Sequence, residues 1–138
     1  MGYTHYWKFK KNPKDIENGD VKFADAVEML HKGLQQMPDV KLCGGMGKGD
    51  PKITITHVCF NGSEDDGTDY EPFCIQRDDP DYEFGFCKTA CRPYDPAVCL
   101  ALLCFKKAFG NDFDYSSDGD IENGEEGWGR AKEIFARL

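Results

Sequence analysis

The chain has 138 residues, 40% hydrophobic and 30% charged, with 25 acidic against 17 basic side chains and a formal charge of −8. That is material for one α+β domain over residues 1–138 with a real core, and no apolar run approaches the roughly 18 residues of a membrane span. The negative charge argues against generic binding to nucleic acid or membrane, because both surfaces are anionic.

The opening MGYTHYWKFKK lacks the apolar core of a signal peptide. Seven cysteines at scattered positions are an odd count for a disulfide-built domain. A cytoplasmic protein with ordinary free thiols is therefore expected.

Residues 2–10 alternate and read as a strand, with Tyr3, His5, Trp7 and Phe9 along one face. Asn12–Gly19 is a polar turn. Asp20 is placed to cap a helix with the stripe Phe23, Ala26, Val27, Leu30, Leu34 and Met37, ended by Pro38. The glycine-rich segment 43–50 is a loop, and Lys52–Phe60 reads as one β-branched strand stopped by Asn61-Gly62. An acidic loop over 63–71, a short strand Pro72–Arg77, a turn and a strand Tyr82–Lys88 follow.

Asp95-Pro96 has the form of an N-cap followed by proline at the first helical position. The helix that it opens is apolar almost all round, and Gly110 ends it. Asp112–Ser117 is a last strand, and the final helix carries Trp128, Ala131, Ile134, Phe135 and Leu138. This order predicts a ferredoxin-like β-α-β-β-(β)-α-β fold with an extra C-terminal helix, a mostly antiparallel sheet and helices on one face.

Cys87–Asp95, CKTACRPYD, carries the clearest binding chemistry. A helix N-terminus flanked by Lys88, Thr89 and Arg92 offers amide donors and positive charge to an anion. Asp95 competes for the same donors, and Arg92 paired to Asp95 is the competing structural reading.

The blocks GYTHYW (Gly2–Trp7), GFCKTA–PYD (Gly85–Asp95) and SSDG before a tryptophan (Ser116–Gly119, Trp128) resemble a group of small uncharacterised bacterial and phage proteins. In that group the loop reads KTARKPYD, and Cys91 and Arg92 stand here in the Arg-Lys places, one cation fewer. The resemblance implies a shared fold and surface, without an established activity.

Three further patterns are weighed against plainer readings. Asp114–Glu125 matches a calcium loop, with Asp114, Ser116, Asp118, Asp120 and Glu125 as oxygen donors. Its flank reads as strand rather than helix, which favours an acidic turn; Ca2+ is the alternative cofactor. Phe84-Gly85-Phe86 has the centre of a base-stacking motif, but both rings are expected in the core. His5, His57, Cys59, Cys87 and Cys91 lack zinc spacing and read as buried thiols and a strand-face histidine.

The expected function is non-enzymatic binding of an unknown protein or small anionic ligand. Tyr3, His5 and Trp7 are core if their stripe faces the helices and would supply contact area if it faces an open sheet side, while Lys88, Thr89 and Arg92 would orient an anionic group. An enzyme acting on an anionic small molecule is a further alternative, with His5 as the base beside Arg92.

Overall fold

The computed structural model describes residues 3–138. Chain order runs β1 (Thr4–Phe9), α1 (Gly19–Leu34), β2 (Lys52–Ile53), β3 (His57–Phe60), β4 (Phe73–Gln76), β5 (Gly85–Lys88), α2 (Asp95–Phe109), β6 (Phe113–Ser117) and α3 (Gly127–Phe135). No helix among the described residues is long and apolar enough to cross a membrane.

The α+β class is as expected, but the single sheet is not: the strands form two antiparallel sheets, ordered β5-β1-β6 and β2-β3-β4. The first holds the site. Strand β1 lies in its centre, pairing His5 with Cys87 on one side and with Ser117 on the other. The second sheet meets it through Glu71, whose amide donates to Lys88 O at 3.2 Å and whose carboxylate accepts from Lys88 N at 2.7 Å.

Residues 52–60 are a hairpin rather than one strand. Thr54 N–H donates to His57 O at 2.7 Å, and Thr54 Oγ1 accepts from His57 N at 3.1 Å. These local bonds turn the chain through Thr54–Thr56, inside a run whose β-branched composition suits a strand and gives no turn signal.

Helix α2 is the core. Ala97 through Leu102 are wholly buried, as are Cys104 and Phe105. Helix α1 packs against it where Gly33 has no side chain; a Cβ there would stand 2.5 Å from Leu100 Cδ2. Phe9, Phe105, Phe109 and Phe113 close the far end with ring centroids 4.9 to 6.4 Å apart.

Helix α1 starts without the predicted cap. Asn18 precedes it in the left-handed region (φ 56°), a conformation asparagine tolerates, and Asp20 lies inside the first turn, where its charge still faces the positive end of the dipole.

Candidate functional site

Alternation along β1 sends His5, Trp7 and Phe9 toward the helices. His5 is fully buried and its ring is held on three sides. Tyr3 and Trp128 meet it edge-on at 5.2 and 5.3 Å. Its Nδ1 lies 2.8 Å from Ser117 Oγ, and its Nε2 lies 2.6 Å from Asp95 Oδ1.

Counting donors fixes the proton. Ser117 Oγ accepts from Trp128 Nε1 at 3.1 Å and from Gly119 N at 3.0 Å, which uses both lone pairs. Its own hydrogen must then go to His5 Nδ1. His5 therefore carries its proton on Nε2 and donates it to Asp95, as a neutral imidazole beside a carboxylate.

Asp95 was expected as the cap of α2. It is instead the helix's first residue, makes no side-chain cap bond, and turns its carboxylate inward. Three donors converge on it: His5 Nε2, Thr89 Oγ1 at 2.5 Å, and the Cys99 thiol, whose Sγ is 3.7 Å from Asp95 Oδ2. Asp95 and Cys99 are one helical turn apart, so they share a face. The positive end of α2 faces the carboxylate and stabilises its charge.

Cys99 Sγ also lies 3.7 Å from His5 Nε2. Burial, and then the Asp95 charge, hold this thiol well above its ordinary pKa. Among the described residues, His5, Asp95 and Cys99 are the one group of three whose donor atoms are close enough to share a metal ion. Tyr3 Oη is buried near Ser117 but makes no hydrogen bond of good geometry.

The cationic loop divides between surface and core. Lys88 Nζ and Arg92 Cζ both stand 5.6 Å from the centre of the Tyr70 ring, so the two charges share one aromatic neighbour. Thr89, read as a ligand donor, is fully buried and its hydroxyl is committed to Asp95. Arg92 joins Cys91, Asp95, Glu126 and Arg130 around a depression of about 270 Å³ above the carboxylate. Arg130 is paired with Asp39, and Asp95 with His5 rather than Arg92. Two carboxylates share this depression with its cations, and one of them stands at the helix end that an anion would need.

The stripe is core rather than contact surface. His5 and Trp7 face the core, and Tyr3, two residues earlier, meets His5; Gly2 of the GYTHYW block lies outside the described residues. The open face carries the other parity: Tyr6 and Lys8 on β1, opposite Phe86 on β5 and Asp114 and Ser116 on β6. Phe84 and Phe86, expected in the core, are 57% and 54% exposed. Their rings are 5.7 Å apart, and Tyr6 is 6.3 Å from Phe84. Phe84 forms a shared wall between two hollows. One, of about 560 Å³, is lined by Tyr6, Lys8, Asp114 and Tyr115; the other, of about 420 Å³, by Gln76, Asp79, Asp81 and Phe86.

The calcium-loop residues are not brought to one point. Asp114 and Ser116 lie on β6, with Asp114 3.6 Å from Lys106. Asp118 accepts from Thr4 N at 3.0 Å, Asp120 accepts from the Asn123 side chain at 2.6 Å, and Glu125 from Asp120 N at 3.3 Å. No metal-capable group of three forms there among the described residues.

The thiols also need correction. Cys59 and Cys74 face each other across β3 and β4 and form a disulfide, while Cys43, Cys87, Cys91, Cys99 and Cys104 are free. Strand pairing places these two sulfurs together, which sequence spacing does not indicate. His57 stands beside this pair with its Nδ1 3.0 Å from Thr56 Oγ1, remote in sequence and bonding from the His5 centre.

No family model, curated protein or solved structure matches the chain.

Proposed function

We propose that this chain is a non-catalytic interaction module that receives a basic segment of a partner protein on the open face of its first sheet. The observation carrying this reading is the trio Tyr6, Phe84 and Phe86, held in mutual contact on the sheet face turned away from the helices. Covering a large apolar side chain is worth roughly 1.5–3 kcal/mol, and two phenylalanines here forgo most of it. The frame for this surface is a ferredoxin-like core, with β1 between β5 and β6 and α2 crossing from one outer strand to the other.

Charge selects the partner. Aromatic faces attract guanidinium and ammonium groups. Asp79 and Asp81 line one hollow; Asp114, which also meets Lys106, and Lys8 line the other. A chain of charge −8 concentrates cations near its surface and repels polyanions. An arginine-containing peptide is therefore favoured over single-stranded nucleic acid, although the stacking surface alone would suit either.

The test is an amide chemical-shift titration of the ¹⁵N-labelled protein. One probe is a glycine–arginine peptide bearing four positive charges, and the other is an oligothymidylate of equal length. The peptide should shift Tyr6, Lys8, Gly85, Phe86 and Ser116, and the double substitution Phe84→Ala/Phe86→Ala should abolish those shifts while leaving the rest of the spectrum folded. Salt should weaken the peptide response. Absence of localised shifts with the peptide, or a stronger response to the oligonucleotide, would refute the proposed partner.

A further inference from the structure

From His5, Asp95 and Cys99 we infer a buried binding site for one divalent transition-metal ion of the zinc class. Imidazole, carboxylate and thiolate are all zinc ligands, at about 2.0–2.3 Å from the metal. In a tetrahedron those lengths put a sulfur and a nitrogen or oxygen about 3.5 Å apart. Both Cys99 distances, to His5 Nε2 and to Asp95 Oδ2, are 3.7 Å. Only the 2.6 Å contact between His5 and Asp95 must open to admit an ion.

Charge supports the assignment. Without metal, the centre holds one buried carboxylate beside a neutral imidazole and a neutral thiol. A dication with the Asp95 carboxylate and a Cys99 thiolate sums to zero, which suits a site with no exposed partner. Thiolate with imidazole favours zinc over calcium or magnesium. A neutral oxygen, from Thr89 or from water in the adjoining depression, completes four ligands.

Loading consumes M2+ and releases one proton, that of the Cys99 thiol. The His5 proton moves from Nε2 to Nδ1, freeing Nε2 for the ion, and Nδ1–H then donates to Ser117 Oγ in exchange for the Gly119 amide. The Ser117 hydroxyl no longer donates to His5 and can turn to Tyr3 Oη, while the Gly119 amide gives up its acceptor. A hydrogen bond from the ring nitrogen that does not bind metal is what orients a ligating histidine.

The experiment uses chelator-treated full-length protein titrated with Co2+. Expected are one ion per chain, visible ligand-field bands of tetrahedral cobalt, and a near-ultraviolet thiolate-to-cobalt charge-transfer band, all removed by one equivalent of Zn2+. Cys99→Ser should delete the charge-transfer band and Cys91→Ser, at the exposed thiol, should leave it. His5→Gln and Asp95→Asn should each weaken cobalt binding by about tenfold or more. Should a variant not fold, the X-ray absorption spectrum of zinc-loaded wild type decides instead, with one sulfur near 2.3 Å among nitrogen and oxygen neighbours expected. No stoichiometric cobalt binding, a charge-transfer band that survives in Cys99→Ser or vanishes in Cys91→Ser, or a zinc shell without sulfur would overturn the site.

Discussion

Replacing Asp95 by alanine in metal-free protein should destabilise the fold by about 4 kcal/mol. Asp95, 2% exposed, accepts from His5, Thr89 and Cys99. Hydrogen bonds to a charged group are worth about 1.5–3 kcal/mol each, and the weak thiol donor adds less. The charge at the start of α2 contributes roughly 0.3–1 kcal/mol more. These terms overlap because the donors share one acceptor, and the change leaves neutral donors unpaired rather than a bare charge, so the loss should stay at about 4 kcal/mol.

An unfolding entropy of about 2.1 cal/mol/K per residue gives roughly 0.3 kcal/mol/K for a chain of this size, hence a fall in Tm of about 14 °C. Urea unfolding followed by circular dichroism, with EDTA present, measures the change directly. Asp95→Asn keeps the shape and one acceptor oxygen but turns an amide toward Cys99, so about half the loss is expected. Adding His5→Ala to Asp95→Ala should cost less than the two single losses together, since either change alone orphans the other group. A loss below about 1 kcal/mol for Asp95→Ala, or strict additivity, would refute a centre whose donors depend on this acceptor.

Stability should also fall in alkali. Burial pushes the Cys104 thiol up to about 12 from an ordinary value of 9.0. Its neutral form is favoured by folding, so this contribution is complete below pH 9 and is lost as pH rises toward 12, at about 1.4 kcal/mol per pH unit. Between pH 9 and 10.5, Cys104→Ala should lessen the decline by roughly 1–2 kcal/mol; an unchanged slope in urea titrations would contradict a buried thiol. Iodoacetamide at pH 8 should label Cys91 far faster than Cys43, Cys87, Cys99 or Cys104, because Cys91 is the exposed free thiol. Mass spectrometry should then find five adducts after denaturation and seven only after reduction as well, given the Cys59–Cys74 bond. Gly127→Ala would set a methyl group against Asp95 Oδ2 and 2.9 Å from Pro96 N. A loss of about 1–3 kcal/mol is expected from this overpacking, and a neutral result would mean that the helix-to-helix approach over Asp95 is loose.

The sequence made the helices and most strands legible because their signals are local. Phe23, Ala26, Val27 and Leu30 mark one face of α1, and the apolar run after Pro96 marks α2 as central. Which face of β1 meets the core is a different kind of question. Aromatic residues occupy both parities, Tyr3, Trp7 and Phe9 on one and Tyr6 on the other, so periodicity alone leaves the choice open. The signal that separates the two faces is Lys8 and Lys10 on the Tyr6 parity, since unpaired lysines stay in water. Phe84 and Phe86 were harder, because large apolar rings are usually buried and nothing local marks the exception. Asp95 was misread for a related reason. Asp-Pro has the local form of a helix cap, while the partners that draw its carboxylate inward include His5, ninety positions away in sequence. The Cys59–Cys74 bond likewise depends on strand register, which spacing does not disclose.

One strand therefore links the aromatic face and the buried His5 centre. The pleat of β1 places His5 and Trp7 below the sheet and Tyr6 and Lys8 above it, with Phe86 fixed opposite Tyr6 by the same ladder that sets Cys87 opposite His5. A one-residue slip would reverse both sets together, burying Lys8 and exposing His5. The register is held from both sides: Trp7 packs on Phe73 at 4.8 Å, and Gly85 lies against the Trp7 indole where any side chain would overlap. Gly85 thus joins the two phenylalanines in sequence while making room for the tryptophan that keeps their face outward. The glycine between Phe84 and Phe86 is consequently a packing requirement of the core, and the exposure of the two rings beside it follows from the same constraint.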